Sequence, residues 1–120
     1  MVETRQEYLD LAPEVGRAWL QEFWEHVESR CPGIEMTMFR QVPMYKFGKS
    51  YLDGYLMFTT AKGHFSAHSV EFDLIADTKP AIPGAFGGKG CVSVKYTNTD
   101  AKPALKAYVD DVLRRHGKLT

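Results

Sequence analysis

The chain has 120 residues, 15 basic and 15 acidic, so its formal net charge is zero; 44% are hydrophobic, 12% aromatic, and two are cysteines. This length suits one domain with a substantial core, and residues 1–120 are read as a single domain. Neutrality argues against a general nucleic-acid binder. Two cysteines exclude a disulfide-rich scaffold or a four-cysteine zinc site, and no apolar run reaches the ~20 residues that a membrane span needs.

The start, Met1-Val2-Glu3-Thr4-Arg5-Gln6-Glu7, is charged and lacks the apolar stretch of a secretory signal. Cys31 and Cys91 form no Cys-x-x-Cys pair. Two reduced thiols in a cytoplasmic protein are the expectation.

A short helix is expected from about Thr4 to Leu11. Pro13 then suits the first turn of a longer helix, where its missing N–H costs nothing. Val15, Trp19, Phe23 and Val27 recur every four residues, and Leu20 and Trp24 widen the stripe. Glu14, Arg17, Glu22, Glu25 and Glu28 take the other face, and Cys31-Pro32-Gly33 ends the helix.

The middle of the chain is strand-like. Glu35 to Gln41 and Val42 to Phe47 read as two strands, or as one bent strand interrupted at Pro43. Gly48-Lys49-Ser50 is the expected turn into a strand from Tyr51 to Thr60. There Leu52, Leu56 and Phe58 oppose Tyr51, Tyr55, Met57 and Thr59. Asp53-Gly54 offers a competing turn. Ala61-Lys62-Gly63 leads into His64 to His68, which alternates again.

Val70 to Asp77 reads as a short helix capped by Ser69, with Phe72, Leu74 and Ile75 as its apolar part. Pro80 to Gly90 is a Gly/Pro loop. Val92, Val94 and Tyr96 mark a last strand. Leu105, Tyr108, Val109, Val112 and Leu113 mark a last amphipathic helix ending near Gly117. His26 and His116 are read as surface residues on helices.

Helix, hairpins and helix describe an α+β fold, a two-layer α/β sandwich with the N- and C-terminal helices on one face of a mostly antiparallel sheet of about five strands. Leu52, Leu56, Phe58, Phe65 and Ala67 are expected beneath Trp19, Phe23, Val109 and Val112. The opposite face shows Tyr51, Tyr55, Met57, His64 and His68. It is aromatic enough for a ligand, a partner protein or a second copy, in a homodimer, to cover it.

Three groups of residues bear on chemistry. His64 and His68 lie four positions apart on one strand, about 13 Å at the usual rise, too far to share one metal ion. Glu7, Asp10, Glu14, Glu22, Glu25 and Glu28 form an acidic helical surface of the kind that attracts hard cations, iron among them. An ordinary solvated helix face has the same pattern. The glycines from Gly84 to Gly90 flank Lys89, yet Gly-x4-Gly-Lys-Ser/Thr is absent and a strand follows, so the loop lacks the helix N-terminus of a phosphate cradle. No Gly-x-Ser-x-Gly, His-Glu-x-x-His or Gly-x-Gly-x-x-Gly occurs. Glu35, Tyr45 and Lys46 can form a small polar site at a strand end. Surface exposure and strand pairing explain them equally well.

Glu35, Val42-Pro43-Met44-Tyr45 and Gly48-Lys49 together resemble the YdhG-like family of small bacterial domains. So do Lys62-Gly63-His64, Gly88-Lys89-Gly90-Cys91-Val92 and Pro103. The order of elements agrees from about Tyr8 to Leu113. Some members of that family are described as frataxin-like iron chaperones. The resemblance therefore implies a frataxin-like sandwich and cytoplasmic iron handling, with iron–sulfur or haem assembly proteins as partners. It leaves Glu7, Asp10, Glu14, Glu22, Glu25 and Glu28 as metal-binding candidates and carries over no catalytic residue. Gln41-Val42 stands before Pro43 where members often have Gly, and Met36-Thr37-Met38 follows Glu35 where a basic residue is common.

Overall fold

A computed structural model describes residues 2–119. The first helix, α1 (Arg5–Leu11), starts at Thr4, whose hydroxyl accepts from the Glu7 N–H. The second, α2 (Glu14–Arg30), follows Pro13, which stands just before the helix rather than inside its first turn. Both helices lie over a five-stranded antiparallel sheet whose spatial order is the sequence order. Its strands are β1 (Met36–Phe39), β2 (Val42–Lys46), β3 (Tyr55–Thr60), β4 (His64–His68) and β5 (Cys91–Lys95). Helix α3 (Phe72–Ala81) links β4 to β5, and α4 (Lys102–Arg115) completes the helical layer.

The core lies between the helices and one sheet face. Trp19, Leu20, Phe23, Trp24 and Val27 of α2 meet Leu56, Phe58, Phe65 and Ala67, with Leu105, Val109, Val112 and Leu113 of α4 closing the layer. The Phe23 ring centroid is 4.8 Å from Phe65 and 5.6 Å from Phe58, and Trp19 lies 5.2 Å from Phe65. These are distances at which aromatic pairs add to plain area burial. Gly16 lets α2 approach the sheet closely: a Cβ there would lie 2.8 Å from the Tyr96 hydroxyl and 2.9 Å from Thr60 Cγ2.

The region around Pro43 resolves into two strands. Phe39 pairs with Val42, leaving Arg40 and Gln41 as a two-residue turn. Pairing of β2 with β3 starts at Met44, one residue after Pro43, which has no N–H to give to the ladder.

Five expectations are corrected. The strand expected over Tyr51–Thr60 begins only at Tyr55, because Tyr51–Asp53 forms a 3-10 turn. Ser50 Oγ accepts from the Leu52 N–H and Asp53 Oδ2 accepts from the Ser50 N–H, closing a reciprocal cap. Leu52, expected in the core, is 69% exposed as a result. Val15, expected on the buried stripe, is 48% exposed, because Gly16 is the residue that meets the sheet at that end. Helix α3 starts two residues later than expected and runs through Pro80 to Ala81. Ser69 does not cap it; its hydroxyl instead accepts from the Glu71 N–H and is bonded to the Tyr108 hydroxyl at 2.6 Å.

The second sheet face carries no helix, yet the chain covers much of it. The 47–54 segment brings Tyr51 to 5.1 Å from Phe39 and 6.4 Å from Tyr55. At the other end Phe86 bridges to Ser93 by two backbone hydrogen bonds and sits 5.1 Å from His64. Met44, Ser66 and Ser93, which share this face by register, are buried.

Arg40 and Gln41 both have positive φ, 50° and 68°. The geometry suits Asn-Gly, and each side chain in the left-handed region costs about 1 kcal/mol. Replacing the pair (R40N/Q41G) is expected to raise stability by about 1–2 kcal/mol in chemical denaturation. An unchanged or lower midpoint would mean that the turn is not strained.

Candidate functional site

The end of α2 is where chemistry-bearing side chains converge. Cys31, Pro32 and Gly33 turn the chain from α2 toward Ile34 and Glu35, and the Ile34 N–H returns to Cys31 O. Glu35 stands opposite Lys46 by extension of the β1–β2 register. Beyond α4, the Lys118 N–H closes back onto Leu113 O at 2.9 Å, and the Cys31 thiol donates to Lys118 O at 3.0 Å. These segments wall a cleft of about 570 Å3. Arg30, Glu35, Lys46 and Lys118 supply its charge, with Ile34 and Phe47 between them.

The walls are fixed from behind. Phe47 lies 4.7 Å from the His116 ring and donates its N–H to Gly54 O. Gly54 has φ +117°, and a Cβ there would lie 2.3 Å from that same ring, so only glycine fits. His116 is not the free surface residue expected, since Nε2 meets Glu71 Oε1 at 2.5 Å. His26 likewise meets Asp110 Oδ1 at 2.9 Å, and Arg30 reaches the other oxygen of Asp110 at 3.5 Å. Burial pushes the Cys31 thiol pKa up, outweighing the opposing pull of Lys118. The thiol is therefore protonated at neutral pH and serves as a hydrogen-bond donor.

Of the residues singled out from sequence, Glu35 and Lys46 meet in this cleft. Tyr45 does not join them. It faces the helices, is buried, and its hydroxyl donates to Glu28 Oε2 at 2.5 Å. Burial and the Glu28 carboxylate both push the phenol pKa up, so Tyr45 is a locked donor. Arg5 pairs with the same carboxylate and lies 4.6 Å over the Trp24 ring, joining α1, α2 and β2.

The acidic surface does not gather into a site. Glu28 is committed to Arg5 and Tyr45, and Glu22 to Lys102 and Lys106 at 2.8 Å each. Burial acts to raise the Glu22 carboxyl pKa, but the two lysines outweigh it and the net shift is downward. Glu7 accepts from the Thr4 hydroxyl, and Asp10 from the Gln6 amide. Glu14 and Glu25 are exposed. Among the described residues, no three His, Cys, Asp or Glu side chains come together as a set that could hold a metal ion.

The second face is divided likewise. Tyr51 and Tyr55 pack with Phe39 at one end and His64 with Phe86 at the other. His68 lies between, its Nε2 bonded to Thr59 Oγ1 at 2.8 Å. Sequence reasoning missed Arg30 and Lys118, which are brought to Glu35 by the turns after α2 and α4. The one available signal was their position at helix ends.

No family model matches the chain, and no curated protein sequence does. Its fold is similar to the crystal structure of a DUF1801-family protein, YdhG, from Bacillus subtilis. The TM-score is 0.72 at 16% sequence identity, over 93% of this chain and 90% of that one. The likeness establishes the fold: four helices on a five-stranded antiparallel sheet, as in YdhG. It lends no support to a frataxin-like or iron-chaperone role. Among the described residues no helix is long and apolar enough to cross a membrane.

Two outcomes follow from the buried groups. Removing the Tyr45 hydroxyl (Y45F) should cost about 1 kcal/mol in denaturant unfolding, since a hydrogen bond to a half-exposed carboxylate is lost without a cavity. Burial holds the His68 pKa below its ordinary 6.5. On acidification through 6.5 the unfolded chain takes up this proton first, so His68 makes the fold less stable as pH falls. His68→Gln should flatten that part of the stability–pH curve between pH 7 and about 5. An identical slope in the variant would count against it.

Proposed function

We propose that this chain is a binding module for a small negatively charged molecule, held in the cleft between the end of α2, the β1–β2 strand ends and the tail after α4. The observation that carries this reading is the convergence of Arg30, Lys46 and Lys118 on a cleft of about 570 Å3 with one carboxylate, Glu35, among them. That volume lies within the roughly 300–1,000 Å3 usual for small-molecule sites. Three cationic donors favour a carboxylate or phosphate group. Arg30 is already oriented by Asp110, which reduces the ordering cost of binding. Glu35 disfavours ligands that are anionic throughout and selects those with a neutral or cationic group beside the anion. The chemistry is recognition, since the thiol at the cleft is held as a donor to Lys118 O.

Iron handling rests on the acidic helical surface and the family resemblance. The six helical carboxylates are spread over α1 and α2, and Glu22 and Glu28 are already neutralised by the chain's own cations. The second sheet face is the weaker binding candidate, because Tyr51 and Phe86 already cover part of it.

Titration with phosphoethanolamine and with 4-aminobutyrate, each carrying a cationic group beside its anion, followed by amide NMR, tests the cleft. Saturable shifts are expected at Gly33, Gly48, Gly117 and Lys118, lost in K46E and K118E variants that keep the native spectrum elsewhere. Shifts confined to Tyr51, Tyr55 and His64 would move the site to the second face, and no saturable shift would refute the reading. Anaerobic Fe(II) added to the same sample should produce no localised broadening along residues 7–28; broadening there would restore the iron reading.

A further inference from the structure

One row of side chains across the sheet consists of soft metal ligands. Met44 of β2 opposes Met57 of β3, Met57 opposes His68 of β4, and His68 opposes Cys91 of β5. Directly opposed residues share a face, so all four stand on the second face. Their Cβ atoms follow one another at about 4.5–5.5 Å from strand to strand. Met44 is buried, whereas Met57, His68 and Cys91 are half-buried and open to a small solute.

The imidazole and the thiol are positioned without being used up. His68 Nε2 is bonded to Thr59 Oγ1 at 2.8 Å, which leaves Nδ1 without a partner among the described residues. An imidazole oriented through one nitrogen, with the other free, is the arrangement of a metal-binding histidine. The Cys91 thiol has a weak contact with Ser93 Oγ at 3.7 Å, whereas the Cys31 thiol is committed to Lys118 O. Gly87 passes directly over Cys91: a Cβ there would lie 2.9 Å from Sγ. The Lys79 ammonium holds this strap by donating to Gly87 O at 3.1 Å and to Gly88 O. The strap thus shields the thiol from one side.

The donor types select the metal. Strands β2 to β5 contain no Asp or Glu, the ligands that hard cations take. Zn(II) sites draw on thiolate, imidazole and carboxylate, and here the third donor is a thioether. Thiolate and thioether with imidazole favour Cu(I). We propose that Met57, His68 and Cys91 bind one Cu(I) ion on the second sheet face, with His68 in the middle and a sulfur ligand on the strand to either side. On binding, the Cys91 thiol releases its proton to solvent and the thiolate takes the metal, with no change of oxidation state. This inference stands independently of the ligand proposed for the cleft.

Anaerobic titration of the full chain with Cu(I) against the coloured chelator bicinchoninate tests it, with thermal unfolding of the metal-free proteins as the fold control. The native chain is expected to withhold one equivalent of Cu(I) from the chelator. Cys91→Ser and His68→Gln should lose that equivalent, and Met57→Leu should weaken its retention. Cys31→Ser should keep it. Ag(I), a redox-inert stand-in for Cu(I), provides a readout on the native chain that no variant's folding can compromise. At one equivalent it should move the amide resonances of Met57, His68 and Cys91 together. A native chain that withholds no copper would overturn the proposal. So would full retention in C91S, loss of the equivalent in C31S, or Ag(I) shifts centred on Cys31.

Discussion

The seating of α2 on the middle strands is the contact on which the rest of the molecule depends. Phe23 and Trp19 rest on Phe58 and Phe65 of β3 and β4, and Gly16 removes the side chain that would hold the helix off. Full burial of a large side chain contributes about 1.5–3 kcal/mol, and this cluster contains several. Because α2 is buried at intervals from Gly16 to Val27, its last residues are fixed too. The position of Arg30 and the turn at Cys31 follow from packing well away from them.

Charge is used in two distinct ways. Around the helices, acids are tied to the chain's own bases: Glu22 to Lys102 and Lys106, Glu28 to Arg5, Glu71 to His116 and Arg115. These pairs lock elements together. At the cleft, Lys46 and Lys118 have no such partner among the described residues. A net charge of zero therefore conceals an uneven surface.

The layer arrangement was legible because its signals are local. Alternation along Tyr55–Thr60 and His64–His68, and the four-residue rhythm from Trp19 to Val27, are periodicities that burial enforces directly. The errors arose where a local hydrogen bond overrode the pattern. Ser50 and Asp53 cap a turn that removes Leu52 from the strand, a signature present in the sequence as Ser-x-x-Asp. Glu35 and Lys46 were recognisable as a pair because they face each other across one hairpin. Arg30 and Lys118 were not, since they meet only through the docking of two helices far apart in the chain. Tyr45 reads as part of the same site, but the parity of β2 turns it to the helices, where its hydroxyl donates a hydrogen bond to Glu28.

The spatial order of the strands is their order of synthesis. Each hairpin can close as soon as it leaves the ribosome, with no wait for a distant segment. The helix that the sheet supports is made earlier, so Trp19, Phe23 and Val27 emerge before Phe58 and Phe65 exist to receive them. For that interval the nascent chain presents its most apolar surface to its surroundings, and it becomes safe from aggregation only once β4 is out. A chain stalled between α2 and β3 is thus the form of this protein with the greatest need of a chaperone.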